Sequence, residues 1–182
     1  MISRSAAISA AKLAPREEHF RIPSHHDCLA LFLRYLPPNR ETEPSGTVVL
    51  YVHGGTFPSA LSIAHRFAGR SSRDELCDAG FHVWGSISTA SAGFPTPTQR
   101  WTSRPPGHPP LGPAEDASRQ IKHAVRFICA HQRMPRISII AHSWGSIASG
   151  RFAGRCPELV DRNGARLISP SIPKAEADRP RR

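Results

Sequence analysis

The stretch 137–150, Ile-Ser-Ile-Ile-Ala-His-Ser-Trp-Gly-Ser-Ile-Ala-Ser-Gly, constrains the fold more than any other part of the chain. Ile137 to Ile140 form an apolar, β-rich run that predicts a buried strand. From Ser146 onward, small residues and a later apolar face predict a helix. Between them, Ala141-His142-Ser143-Trp144-Gly145 has the pattern small-x-Ser-x-Gly. Small residues are needed there because a sharp strand-to-helix turn brings two backbones close together, leaving the middle serine's Oγ exposed at the carboxyl end of the strand. The N–H of Trp144 then sits near a helix N-terminus, where it can face a developing oxyanion. A lone five-residue match would be an ordinary serine in a tight turn. The strand before it, the helix after it and a second motif upstream favour the chemical reading.

That second motif follows Thr47-Val-Val-Leu-Tyr-Val52, a run suited to a strand buried on both faces. It ends in His53-Gly54-Gly55-Thr56, where glycines let the backbone turn sharply and present its N–H groups. Alone, this divides evenly between a plain Gly-rich turn and a donor-presenting one. Ser62 to Cys77 has weak helical spacing through Ile63, Phe67 and Leu76, with Gly80 as its stop, and Phe81 to Trp84 resumes a buried strand. Upstream, Glu18–Asp27 and Leu29–Leu36 read as two strands of a hairpin, the second with Leu29, Leu31, Leu33 and Tyr35 on one face. His25-His26-Asp27 between them reads as a solvated turn rather than a metal site, because adjacent strand residues face opposite ways. Downstream, Ala114-Glu115-Asp116 opens a helix with acids in its first turn, and Ile121, Ala124, Val125 and Ile128 continue its apolar face. Cys156 to Asp161 reads as a turn and a helical stub. The expected organisation is a disordered segment 1–17, a domain over 18–162 with an irregular loop at 85–112, and a basic, disordered tail over 163–182.

Composition limits the function classes. The 182 residues suit a single core, and the net charge of +10 comes from 24 Lys and Arg against 14 acids. The arginines are scattered without aromatic interleaving, so the charge reads as compositional rather than as a nucleic-acid-binding signal. Cys28, Cys77, Cys129 and Cys156 show no Cys-x-x-Cys spacing, which points to neither a disulfide framework nor a zinc site. No run approaches a membrane span. Met1 to Pro15 has a faint transit-peptide composition but no secretory core, and a frayed terminus of a cytoplasmic protein is the expected reading.

In order, strand, His-Gly-Gly turn, helix, Gly-Phe-x-Val-Trp strand, helix, strand, Ala-His-Ser-Trp-Gly turn and helix resemble the α/β-hydrolase family over about Val48–Arg162. The resemblance implies an α/β fold with a mostly parallel sheet flanked by helices, ending after about its sixth strand with the C-terminal strands missing. It implies that Ser143 attacks the acyl carbonyl of a small ester, amide or thioester. The N–H groups of Trp144 and of Gly55 or Thr56 would form the oxyanion hole. His53 would orient its turn, His142 would shape the elbow or pocket, and Gly54 and Gly145 would support the two turns. The family needs no cofactor or metal for this chemistry. Oligomeric state is left open.

The sequence departs from the family pattern after the elbow. The family places an acid and then a histidine beyond the nucleophile. Here no histidine follows Ser143, and the acids are Glu158, Asp161, Glu176 and Asp178. Without a base a serine hydroxyl is a poor nucleophile, so the expectation is an impaired serine hydrolase. The alternative is a non-catalytic small-ligand binder, with a basic nucleic-acid binder ranked behind both. One allowed back-translation of Gly85–Thr96, read from its third base, gives Leu-Asp-Phe-His-Gly-Phe-Gly-Arg-Phe-Ser-Asp. That is close to the Asp-x-x-Gly-x-Gly-x-Ser turn the resemblance leads one to expect there. A shifted reading frame thus accounts together for the Ser/Pro loop, the arginine-rich tail and the missing acid and base. The other reading is a genuine insertion in a short protein.

Overall fold

A computed structural model describes residues 12–24, 30–39, 41–55, 57–66, 69–87 and 114–166. Among these, the strands are β1 (Glu18–Pro23), β2 (Ala30–Leu36), β3 (Val48–Val52), β4 (His82–Ile87), β5 (Ile137–His142) and β6 (Val160–Arg166). The helices are α1 (Ser72–Asp78), α2 (Ala114–Gln132) and α3 (Trp144–Arg155), with 3-10 turns at Ser59–Leu61 and Pro157–Leu159. One sheet runs in the order β1-β2-β4-β3-β5-β6. β1–β2 and β2–β4 pair antiparallel, and β4, β3, β5 and β6 run parallel. β4 lies on one side of β3 and β5 on the other, so strand order reverses at β3. In open α/β sheets ligands bind outside the carboxyl ends of the strands at such a reversal.

Helices cover both faces. On one, Leu33, Leu50, Val52, Trp84, Ile137 and Ile139 pack against Ile121, Val125 and Ile128 of α2 and Phe152 of α3. On the other, Leu36 and Val83 pack against Cys77 of α1, and Tyr51 packs against Ile63 and Ala64. β3 is buried at every position, as its unbroken apolar run requires. Leu31, Leu33 and Tyr35 share one face of β2, as their alternation predicts. Outside the core, Glu115 at the start of α2 holds Arg151 and Arg155 of α3, and these partners bring its carboxyl down to about 2.

Several elements differ from expectation. The helix expected over Ser62–Cys77 begins only at Ser72, after the 3-10 turn and bends of 59–64. Its start is fixed by a capping box, in which Ser71 Oγ accepts from the Asp74 N–H at 3.2 Å and Asp74 Oδ2 accepts from the Ser71 N–H at 3.0 Å. Burial raises the Asp74 carboxyl, but hydrogen bonds from Arg66 and Ser71 outweigh it and hold it at about 2. Ser71→Ala is therefore expected to cost about 1 kcal/mol, read as a shift in urea midpoint at unchanged slope. The helix stops at Gly80, whose φ of +87° an L side chain rarely adopts.

Gly85, Ser86 and Ile87, expected to open an irregular loop, instead continue β4, because Gly85 pairs with both Arg34 and Tyr51. Pairing on both sides here overrides a poor strand propensity. Val160 and Asp161, read as the end of a helical stub, begin β6. Asn163–Arg166, read as the start of the tail, complete it by parallel pairing with β5. β6 carries little apolar periodicity, so its register comes from the main chain of β5. The remaining loop 88–112, the tail 167–182, residues 1–11, Thr56, Cys28 and the His25-His26-Asp27 turn lie outside the described residues.

The segment before β1, expected within the disordered terminus, contributes a fully buried carboxylate. Glu17 accepts from Arg73 at 3.0 Å, from the backbone of Leu13 at 3.0 Å, from His19 at 2.7 Å and from Arg34. Burial raises the Glu17 carboxyl, but the hydrogen bonds of Arg34 and His19 and the charges of Arg73 and Arg34 win, and its pKa falls below the ordinary 4.5. A depressed carboxylate contributes stability above its unfolded pKa and loses it as pH falls through the folded value. Unfolding free energy is therefore expected to drop as pH falls below about 4.5. Glu17→Gln, followed by urea titrations across that range, is expected to remove this part of the acid transition.

Candidate active site

β3 and β5 are adjacent and in register, with Val52 opposite Ala141. The two motifs that follow them, His53-Gly54-Gly55 and His142-Ser143-Trp144-Gly145, therefore emerge side by side at the carboxyl edge of the sheet. Ser143 caps α3 with φ 53° and ψ −127°. A non-glycine residue rarely holds a positive φ, and a bent strand-to-helix junction holds this one there. The chain enters from β5, turns at Ser143 and is helical from Trp144, with the Ser146 N–H donating to the Ser143 carbonyl at 2.9 Å. Ser143 is exposed, whereas Ala141 beneath it is fully buried.

Two glycines let the motifs touch. A Cβ at Gly145 would lie 2.4 Å from the His53 carbonyl oxygen and 2.8 Å from that of Val52, so the first turn of α3 rests on the end of β3. A Cβ at Gly54 would lie 3.1 Å from Ser143 Cβ and 3.3 Å from His142 Nδ1, so the upstream turn borders the serine itself. His53 is buried, and its Nδ1 donates to the Gly54 carbonyl at 2.5 Å. Burial pushes its imidazole pKa below the ordinary value, and the Gly54 hydrogen bond only partly offsets this. A neutral ring pinning its own turn is the result.

The structure thus brings together His53, Gly54, His142, Ser143, Trp144 and Gly145. Gly55 is exposed at the same edge, with nothing within 4 Å of where its Cβ would be. Sequence reasoning did not single out the apolar side chains left exposed after the two strand ends. Phe57 (57% exposed), Leu61 (57%) and Ile147 (59%) are the exposed large apolar side chains among the described residues. All three follow the carboxyl ends of β3 and β5 within a few residues of the two motifs. Among the described residues, no group of three or more His, Cys, Asp or Glu is placed to hold a metal ion, and no helix is long and apolar enough to cross a membrane.

No family model matches the sequence, and no curated protein does. Solved structures do match. Epoxide hydrolase A from Mycobacterium thermoresistibile aligns with TM-score 0.55 at 17% identity, over 82% of this chain and 38% of its own. Carboxylesterase CesB from Bacillus subtilis aligns with TM-score 0.52 at 16% identity, over 83% and 43%. An α/β serine hydrolase without a lid from Xanthomonas campestris aligns with TM-score 0.54 at 9% identity, over 80% and 59%. At these identities the likeness concerns the fold. The chain has an α/β-hydrolase-like core, and it spans between 38% and 59% of the lengths of these three neighbours.

Proposed function

We propose that this chain carries the nucleophile and oxyanion half of a serine hydrolase, acting on a small ester or thioester through an acyl-enzyme on Ser143. The observation that carries the reading is the backbone of Ser143, which holds a left-handed conformation at the carboxyl edge of the sheet, directly against a glycine turn. Strain of this kind is kept where it aims a side chain. Ser143 Oγ attacks the acyl carbon and gives up its proton to solvent, and collapse of the tetrahedral adduct breaks the ester or thioester bond and releases the alcohol or thiol. The Trp144 N–H, at the start of α3, and the N–H of Gly55 or Thr56 receive the negative charge on the carbonyl oxygen. The exposed Phe57, Leu61 and Ile147 give the organic part of such a substrate an apolar rim. One neighbour is a carboxylesterase and another an α/β serine hydrolase, which supports the choice of reaction.

A specific observation favours a second reading. No histidine follows Ser143 in this sequence. His53, spent on its own turn, is a poor candidate for the base. The second reading is a protein that binds an acyl ligand without turning it over. Stopped-flow mixing with p-nitrophenyl butyrate separates the two. A burst of p-nitrophenolate matching the protein concentration, followed by slow turnover, fits the acyl-enzyme. Saturable binding of butyrate esters with no burst fits the binding protein.

A further inference from the structure

A cavity of about 240 Å³ lies beside α1, and the hydrolase reading does not use it. Three guanidiniums from separate segments line it: Arg16 before β1, Arg66 after the 3-10 turn at Ser59–Leu61, and Arg70 before α1. Asp74 and Asp78 of α1 line it too, and the buried side chains of Leu36 and Cys77 add apolar wall. Leu36 ends β2 opposite Val83, near the amino end of β4. The cavity therefore lies toward the edge of the sheet opposite Ser143.

The three arginines differ in what they already hold. Arg66 donates to both oxygens of Asp74, at 2.8 and 3.1 Å, and to the Leu13 carbonyl at 2.9 Å. Arg70 holds Asp78, and also Glu75 at 2.5 Å. Arg16 has no carboxylate partner among the described residues. Its Nη1 donates to the carbonyls of Pro37 and Pro38, at 3.4 and 2.5 Å. Those two bonds fix the guanidinium and leave its Nε–Nη2 edge without an acceptor among the described residues. That edge carries two parallel N–H groups, the fork that grips a carboxylate or phosphate with two bonds.

We propose that this cavity binds a short-chain monocarboxylate, its carboxylate on the Nε–Nη2 edge of Arg16 and its few carbons against Leu36 and Cys77. The ligand class follows from the lining. A fixed guanidinium fork without an acceptor calls for an oxyanion. Asp74 and Asp78 in the same wall oppose a second negative charge, which favours a carboxylate over a phosphate dianion. The volume lies below the roughly 300–1,000 Å³ of pockets that take drug-sized ligands, which limits the acid to a few carbons. Bound there, the acid ties the segment before β1 to α1 and to the turn that precedes it.

The test is the thermal midpoint of the full chain in sodium propionate, against sodium chloride and sodium phosphate at equal ionic strength. Binding to the folded state alone multiplies the folded-to-unfolded ratio by about ten for each tenfold rise in ligand above its dissociation constant. The wild-type midpoint is expected to climb with propionate and to follow the chloride baseline in phosphate. Arg16→Lys keeps the charge and can still donate to the Pro38 carbonyl, but it lacks the fork. Its climb should begin at about tenfold higher propionate. Arg16→Gln should show no climb, and where that variant does not fold Arg16→Lys alone decides. Equal midpoints in propionate and chloride would overturn the proposal and leave water as the partner of Arg16. A larger climb in phosphate than in propionate would overturn it through the ligand class. An equal climb in the wild type and Arg16→Lys would overturn it as well, because the acid would then bind elsewhere, such as beside Ser143.

Discussion

Ser143→Ala is expected to keep the fold and to lower the hydrolysis of activated esters by about tenfold to a hundredfold. The size of this loss is itself informative. In a complete triad, nucleophile and base act as one unit, and removing either costs far more. A loss this small is the mark of a Ser143 that no base activates. Under the proposed reading Ser143 still has its place beside the Trp144 N–H, and an alanine cannot use that place. Ser143→Gly should share the catalytic loss but move stability the other way. At φ 53° a glycine relieves strain that both serine and alanine bear, a gain of about 1 kcal/mol. Initial rates with p-nitrophenyl butyrate and urea midpoints of the three proteins check both statements. If Ser143→Gly is no more stable than Ser143→Ala, the elbow is not strained.

Gly145→Ala should be the most destabilising methyl addition in α3, at about 3 kcal/mol or more. The added Cβ would meet the carbonyl oxygens of His53 and Val52 at 2.4 and 2.8 Å, which are backbone atoms of a central strand and its turn. They cannot swing aside as a flexible side chain would. Relief requires α3 to lift from β3 or the His53–Gly55 turn to shift, and either movement separates Ser143 from the second motif. Gly150, in the same helix, provides the control. Nothing lies within 4 Å of its Cβ position, so Gly150→Ala should stabilise the protein by about 0.5–1 kcal/mol through helix propensity alone. Opposite signs from two Gly→Ala changes in one helix, read by urea denaturation, would establish that the close approach and not the helix makes Gly145 necessary.

The sequence carried the two strand-end turns better than their periphery. Ala141 to Gly145 and His53 to Gly55 were legible because each small residue answers a local demand, a sharp turn or a close backbone. The unbroken apolar runs Val48–Val52 and Ile137–Ile140 placed both motifs at strand ends. α1 was misplaced because Ile63 and Leu76 mimic a helical period across a 3-10 turn and bends; the Ser71-x-x-Asp74 capping box was the better signal. β6 could not be read from side chains at all, since Val160, Asn163 and Gly164 hold strand geometry through their pairing with β5, and Asp161 and Arg162 lie where that register shifts. The Glu17 cluster gathers residues 17, 34 and 73, whose meeting depends on tertiary packing that no local pattern announces.

The central claim is that Ser143 is a poised nucleophile and not merely a turn residue. Its most direct test is to treat the folded chain with a fluorophosphonate and map the adduct by peptide mass spectrometry. A single, slowly formed adduct on Ser143, lost when the protein is unfolded before treatment, is the predicted result. No adduct, or modification scattered over several serines at similar rates, would contradict it.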